Sequence, residues 1–257
     1  EYAARWKSKP PSGKHWNPEY AAMIQSLDES VGRVLDTLDR LGLAENTIVM
    51  FASDNGGVGG YYRDEPPANK RGVTDNSPLR GGKGTLYEGG IRVPFIVRWP
   101  GHVPAGGTCD TPVAHVDLLH ALVELADGTP LEQPLDGMSL APLLHDPDAT
   151  LPRDAIYVHF PVYLESYIHE RGWRTTPASA IIAGDWKLIE YFEEGRRELY
   201  NLKNDVGEST DVFHWYGEVA AELYSKLADW RRRLNAPVPT PKGKVGFKPA
   251  SEDGPTR

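Results

Sequence analysis

Cysteine is nearly absent from this chain: Cys109 stands alone among 257 residues, which excludes an internal disulfide framework. One cysteine does not assign a compartment, because secreted enzymes that simply avoid cysteine also fit. Positive charge is in deficit, with 28 Lys and Arg against 36 Asp and Glu and a formal net charge of −8. That balance argues against general binding of nucleic acid or of anionic membrane surfaces, both of which reward basic patches. Long apolar runs are missing too, and none approaches the roughly 20 residues that a bilayer-spanning helix needs. What remains is an ordinary globular composition, 40% hydrophobic and 25% charged, long enough for one large or two modest domains.

Residues 1–16 are polar and broken by Pro10-Pro11, and read as a surface loop. Asn17-Pro18 is a helix start, with Asn as the cap and Pro in the first helical position. Tyr20, Ile24, Leu27, Val31, Val34, Leu35, Leu38 and Leu41 then recur at three- and four-residue steps until Gly42, which predicts an amphipathic helix lying on a sheet. Thr47–Ala52 carries five consecutive apolar residues and reads as a strand buried on both faces. A helix feeding such a strand is half of a βαβ unit, so the expected fold class is α/β with a mixed, mostly parallel sheet flanked by helices.

Residues 56–84 are rich in Gly, Pro, Asn and Arg without period, and a loop of that length inside a compact domain points to function or disorder. Val93–Trp99 reads as a second buried strand and Val113–Ala126 as a helix. Beyond the Pro-rich stretch 128–153 the pattern changes to short strands at Ala155–Phe160, Ala178–Ala183, Lys187–Phe192 and Arg197–Asn201, the last two forming a hairpin. A helix over Gly217–Leu234 closes this small antiparallel unit. The division is therefore 1–150, 151–235 and an extended or disordered tail over 236–257.

The first strand stops at Ser53-Asp54-Asn55-Gly56-Gly57. Ligands in open α/β sheets collect outside the carboxyl ends of strands. Asp54 and Asn55 together offer hard oxygen ligands with one negative charge, which suits Ca²⁺ or Mg²⁺ and not zinc. The same tetrad is also compatible with an Asx-turn closed by glycines.

A second block, Gly82-Lys83-Gly84-Thr85-Leu86-Tyr87-Glu88-Gly89-Gly90-Ile91-Arg92-Val93-Pro94, follows in order, and then Trp99-Pro100-Gly101, Asp136-Gly137-Met138-Ser139-Leu140 and Glu198-Leu199-Tyr200-Asn201-Leu202. With the Ser-Asp-Asn-Gly strand end, this series resembles the sulfatases, the sulfate-ester hydrolases of the alkaline phosphatase superfamily. The resemblance runs from about Asn17 to about Trp230. It implies that 1–150 is the rear part of the catalytic α/β domain and 151–235 its small C-terminal subdomain.

By the same resemblance Asp54 and Asn55 are half of a calcium site, with Mg²⁺ the lesser candidate, and Asp54 also helps activate the nucleophile. Lys83 is the lysine that reaches the sulfate and the leaving-group oxygen, and Arg92 makes a structural ion pair. His159, in Tyr157-Val158-His159-Phe160-Pro161, occupies a segment that related sulfatases place at the rim of the substrate cleft, whereas His115 and His120 read as packed or solvated. The family nucleophile is a formylglycine made from Cys- or Ser-x-Pro-x-Arg, a motif this sequence does not contain.

The chain opens at Glu1 without a leader or a first strand, so the expectation is the C-terminal part of a sulfatase, catalytically incomplete by itself. The whole protein is expected to be periplasmic or extracellular and to act on aryl sulfates or sulfated carbohydrates. Two alternatives stay open: a phosphonate or phosphate ester hydrolase of the same superfamily, and a non-catalytic homologue that binds sulfated glycans.

Overall fold

A computed structural model describes residues 2–59, 73–129, 133–165 and 173–240. Most of the 56–84 loop and of the expected tail therefore lies outside the described residues. Helix α2 (Pro18–Arg40) forms as its spacing dictates, preceded by α1 (Tyr2–Lys7). The Asn17 side chain accepts from the Tyr20 amide at 2.9 Å, and Gly42, at φ +68°, leads the chain away from the far end. The expected N-terminal loop is corrected here: α1 packs along α2, with Trp6 Nε1 donating to Gln25 Oε1 at 2.8 Å and the Tyr2 hydroxyl to Glu29. The prolines that suggested a loop come after this helix and do not interrupt it.

Strand β1 (Val49–Ala52) pairs with β2 (Phe95–Arg98), Val49 opposite Arg98 and Ala52 opposite Phe95. The pairing is antiparallel, and no two strands pair in parallel among the described residues. The first strand is also only partly buried, because its described surroundings cover it incompletely. Helix α3 (Glu88–Ile91) lies just before β2, and α4 (Leu118–Leu125) and α5 (Ala141–His145) follow it. A 3₁₀ turn at His115–Asp117 leads into α4. Its buried Asp117 accepts from the Ala114 amide at 2.7 Å, from the Met138 amide at 3.1 Å and from Arg153, so this carboxylate ties the Asp136-Gly137-Met138 segment to the α4 entrance.

The rear of the chain is a four-stranded antiparallel sheet of β3 (Ile156–Phe160), β6 (Ala178–Ala183), β7 (Trp186–Tyr191) and β8 (Arg196–Asn201), in that order, with the expected hairpin between β7 and β8. Between β3 and β6 the chain makes a separate pair, β4 (Leu164–Glu165) with β5 (Trp173–Thr175). Residues on one face, Ile181, Leu188 and Leu199, pack against Ala220, Leu223 and Leu227 of α6 (Gly217–Leu234). The opposite face, through Ala178, Ala180, Ile189, Tyr191 and Tyr200, buries Leu86 of the glycine-rich block. Period-two alternation thus sends one set of side chains to a helix and the other to a functional loop. The α/β class stands, with every described strand pair antiparallel.

Candidate functional site

Two stretches far apart in sequence meet at the end of β1. Ser53 N donates to the Pro94 carbonyl at 3.3 Å, the Ser53 hydroxyl turns back to the Asn55 carbonyl at 2.8 Å, and Gly56 N donates to Gly90 O at 3.0 Å. A side chain at Gly56 would put its Cβ 1.8 Å from Gly89 O, so the contact requires glycine. Lys83 N donates to Gly57 O at 3.0 Å. The Asn76 amide clips the arrangement together, its Nδ2 reaching Gly57 O at 3.0 Å, Gly81 O at 2.9 Å and Gly59 O at 3.3 Å. The backbones that carry Asp54, Asn55 and Lys83 are therefore joined by direct hydrogen bonds.

Asp54 is exposed and pairs with none of the other described residues. Asn55 donates through Nδ2 to Gly56 O at 3.0 Å, which leaves its carbonyl oxygen as the ligating atom. This donor chemistry fits a hard cation. Among the described residues no three His, Cys, Asp or Glu side chains gather as a metal site, so the pair supplies only part of a coordination shell. Lys83 is exposed, and its carbonyl accepts from Arg174 Nη1 of β5 at 3.0 Å. His115, expected to be packed or solvated, donates from Nε2 to the Ser53 carbonyl at 2.9 Å and braces the residue before Asp54.

Behind the loop lies a buried ionic lock. Lys187 Nζ, fully buried on β7, sits 2.9 Å from Glu88 Oε1 and 2.8 Å from Glu208 Oε1. The second oxygen of Glu208 accepts from the Glu88 amide at 2.6 Å. Glu208 holds a left-handed φ of +50°, a setting that costs a non-glycine residue energy unless its surroundings impose it. Burial raises its carboxyl above the ordinary range, and Lys187 opposes that rise.

Arg80 donates to the Tyr200 hydroxyl at 2.8 Å and to Glu208 O at 3.0 Å, and its guanidinium carbon lies 3.8 Å from the Tyr87 ring centroid. Tyr87 and Tyr200 both donate to Glu198 Oε2, at 2.8 and 2.9 Å. Burial raises the Tyr87 phenol well above normal and pushes Tyr200 up to about 12. The Gly89-Gly90 pair, which argued against a helix, nevertheless sits in α3, because Glu88 is held at both its amide and its carboxylate. Arg92 makes the expected ion pair, to Glu88 Oε2 at 3.7 Å.

His159 stands apart from these blocks. Its Nε2 donates to the Pro237 carbonyl at 2.9 Å, so in the neutral ring Nδ1 accepts from the Ser179 hydroxyl at 2.6 Å. Its ring edges meet Phe192 and Trp230, and none of these four partners belongs to the motif blocks. Asn76, Lys187, Glu208 and Arg174 carried no signal in the sequence. Each acts on a group distant along the chain, and none sits in a recognisable spacing.

Comparison with known proteins places this geometry in context. Residues 3–129 match the family model Sulfatase, and residues 82–233 match that of N-sulphoglucosamine sulphohydrolase, C-terminal. A sulfatase of Formosa agariphila is 34% identical over 259 residues, covering 91% of this chain and 43% of the relative. An N-acetylgalactosamine-6-O-sulfatase of Bacteroides thetaiotaomicron is 31% identical over 226 residues, covering 82% and 41%. Among solved structures, Ps i-CgsB in complex with k-i-k-neocarrahexaose superposes with a TM-score of 0.68 at 28% identity, over 89% of this chain and 45% of the other. A protein in complex with its substrate D-glucosamine-2-N,6-O-disulfate gives a TM-score of 0.66 at 26% identity, over 85% and 40%. The chain spans less than half the length of each of these relatives.

Proposed function

This chain belongs to the sulfatase family, and we propose that the whole protein hydrolyses sulfate esters where Asp54, Asn55 and Lys83 come together. The observation that carries this reading is the hydrogen bond from Lys83 N to Gly57 O, which joins the proposed leaving-group lysine to the strand end bearing the proposed metal ligands. Asp54 and Asn55 would hold Ca²⁺, with Mg²⁺ the poorer match because it demands stricter geometry. Such a cation, when bound, offsets the negative charge on the sulfate oxygens. The remaining ligands and the formylglycine nucleophile would come from sequence outside this chain. On this reading the uncovered apolar face of α2 is where the rest of a protein of the relatives' length packs.

Lys83 acts at the leaving oxygen. Charge builds there as the S–O bond breaks, so an ammonium held by a rigid backbone stabilises the transition state more than the ground state. Asp54 holds a carboxylate toward the nucleophile and helps take up its proton. The substrate class we propose is a sulfated carbohydrate, supported by an N-acetylgalactosamine-6-O-sulfatase and a structure bound to a disulfated glucosamine among the relatives. A periplasmic or extracellular location fits such a substrate, and no helix of the described residues is long and apolar enough to cross a membrane.

The test is Lys83→Ala in the whole protein. It should lower kcat by about a hundredfold or more, the order seen on removing one oxyanion-stabilising donor. The loss should be larger for sugar sulfates, whose leaving groups are poor, than for activated aryl sulfates. A rise in KM alone, equal for both substrate types, would make Lys83 a uniform-binding residue and refute its role at the leaving oxygen.

A further inference from the structure

The residue after Lys83 is pressed under the β4–β5 pair. Gly84 has φ +90°, and a Cβ there would lie 2.1 Å from Leu164 Cδ2 and 3.1 Å from Arg174 Cδ. From β5, Arg174 passes over this glycine and donates through Nη1 to the Lys83 carbonyl at 3.0 Å. The rear unit thus delivers a second permanent cation to the backbone of the lysine assigned to the leaving group. A neutral amide would hold that carbonyl equally well. A guanidinium adds a charge that does not titrate and a planar fork matched to carboxylate and sulfate oxygens.

One sulfate ester carries one negative charge, and Lys83 with the Asp54-Asn55 cation already opposes it. An additional cation on the leaving-group side is matched by an additional anion on the same substrate. We infer that Arg174 is a specificity-determining residue that reads a second anionic group, sulfate or carboxylate, on the sugar whose scissile ester lies against Lys83. The inference rests on the sulfate-ester reading above.

The test uses the whole protein with three substrates: a monosulfated hexosamine, the same hexosamine carrying a second sulfate, and a sulfated disaccharide containing a uronate. Arg174→Gln, which retains an amide donor for the Lys83 carbonyl, should lower kcat/KM at least tenfold for one of the two dianionic substrates, the order of a lost charged hydrogen bond. The loss on the monosulfated sugar should stay below about threefold, and Arg174→Lys should fall between. Whichever dianionic substrate suffers identifies the second anion. Equal losses on all three would mean that Arg174 only props the Lys83 loop, and no loss on any would leave it no role; either result overturns the inference alone. Failure of the unsubstituted protein to turn over any of the three would overturn the sulfate-ester assignment, and this inference with it.

Discussion

Helix α2 and strand β7 are both written with regular apolar periodicity, yet they end in opposite environments. None of the 23 residues of α2 is buried, and Met23 and Val34 are 68% and 55% exposed. Five of the six residues of β7 are buried, and its Leu188 and Ile189 are fully so. The rear unit covers both faces of its sheet, one with α6 and the other with the Leu86 loop. The front unit presents Ile96 and Leu119 as well as α2 to solvent. Periodicity says which side of an element is apolar; only a partner makes that side a core.

The largest effect on this contrast should come from Lys187→Met. Removing the cation leaves Glu88 and Glu208 facing each other in a buried site, which costs about 3–5 kcal/mol for a broken buried pair. Lys226, whose pair with Glu222 is exposed, serves as the control, and its replacement by Met should cost about 1 kcal/mol or less. Urea denaturation of the two variants measures both; similar midpoints would show that the lock does not hold the Lys83 loop to the rear sheet.

Next in size is a paired truncation. Leu199→Ala should cost about 2–5 kcal/mol, as for a large side chain deleted from a packed core. Met23→Ala should change the stability of the 257-residue chain by no more than about 0.5 kcal/mol. In the whole protein, if α2 is covered there, the Met23→Ala cost should rise to about 2 kcal/mol or more. A Met23→Ala effect that is equally small in both would remove the proposed partner from that face.

A smaller effect should appear in alkali, and only in the rear unit. The Tyr87, Tyr191 and Tyr200 phenols are raised by burial, Tyr200 to about 12. Unfolded tyrosines ionise near pH 10, so from there upward the unfolded chain loses protons that the folded one keeps. The contribution of Tyr200 is therefore complete below about pH 10 and is lost as pH rises towards 12. Melting temperature should fall more steeply between pH 9.5 and 11.5 in the parent than in Tyr200→Phe; parallel slopes would mean that this phenol is not shielded.

Local signals were read well where a single element carried them. Asn17 caps α2, the β7–β8 hairpin forms, and α6 spans the residues its pattern marked. The misreadings came from overriding contacts. Pro10-Pro11 suggested a loop where α1 forms upstream against α2, and Gly89-Gly90 suggested irregular backbone where Glu88 anchors a helical turn. The antiparallel pairing of β1 with β2 could not be read from apolar runs, which do not record strand direction.

The sequence by itself determined the elements, the α/β class, and the motif blocks that place Asp54, Asn55 and Lys83 in a sulfatase. Those rest on local periodicity, capping and short spacings, which operate within a few residues. The tertiary structure decided that the blocks share hydrogen bonds through Asn76, that Lys187 and Glu208 brace them from behind, and that Arg174 reaches the Lys83 carbonyl. These contacts join groups far apart along the chain, and Coulomb attraction and close glycine packing act on distance in space, which the order of residues does not contain.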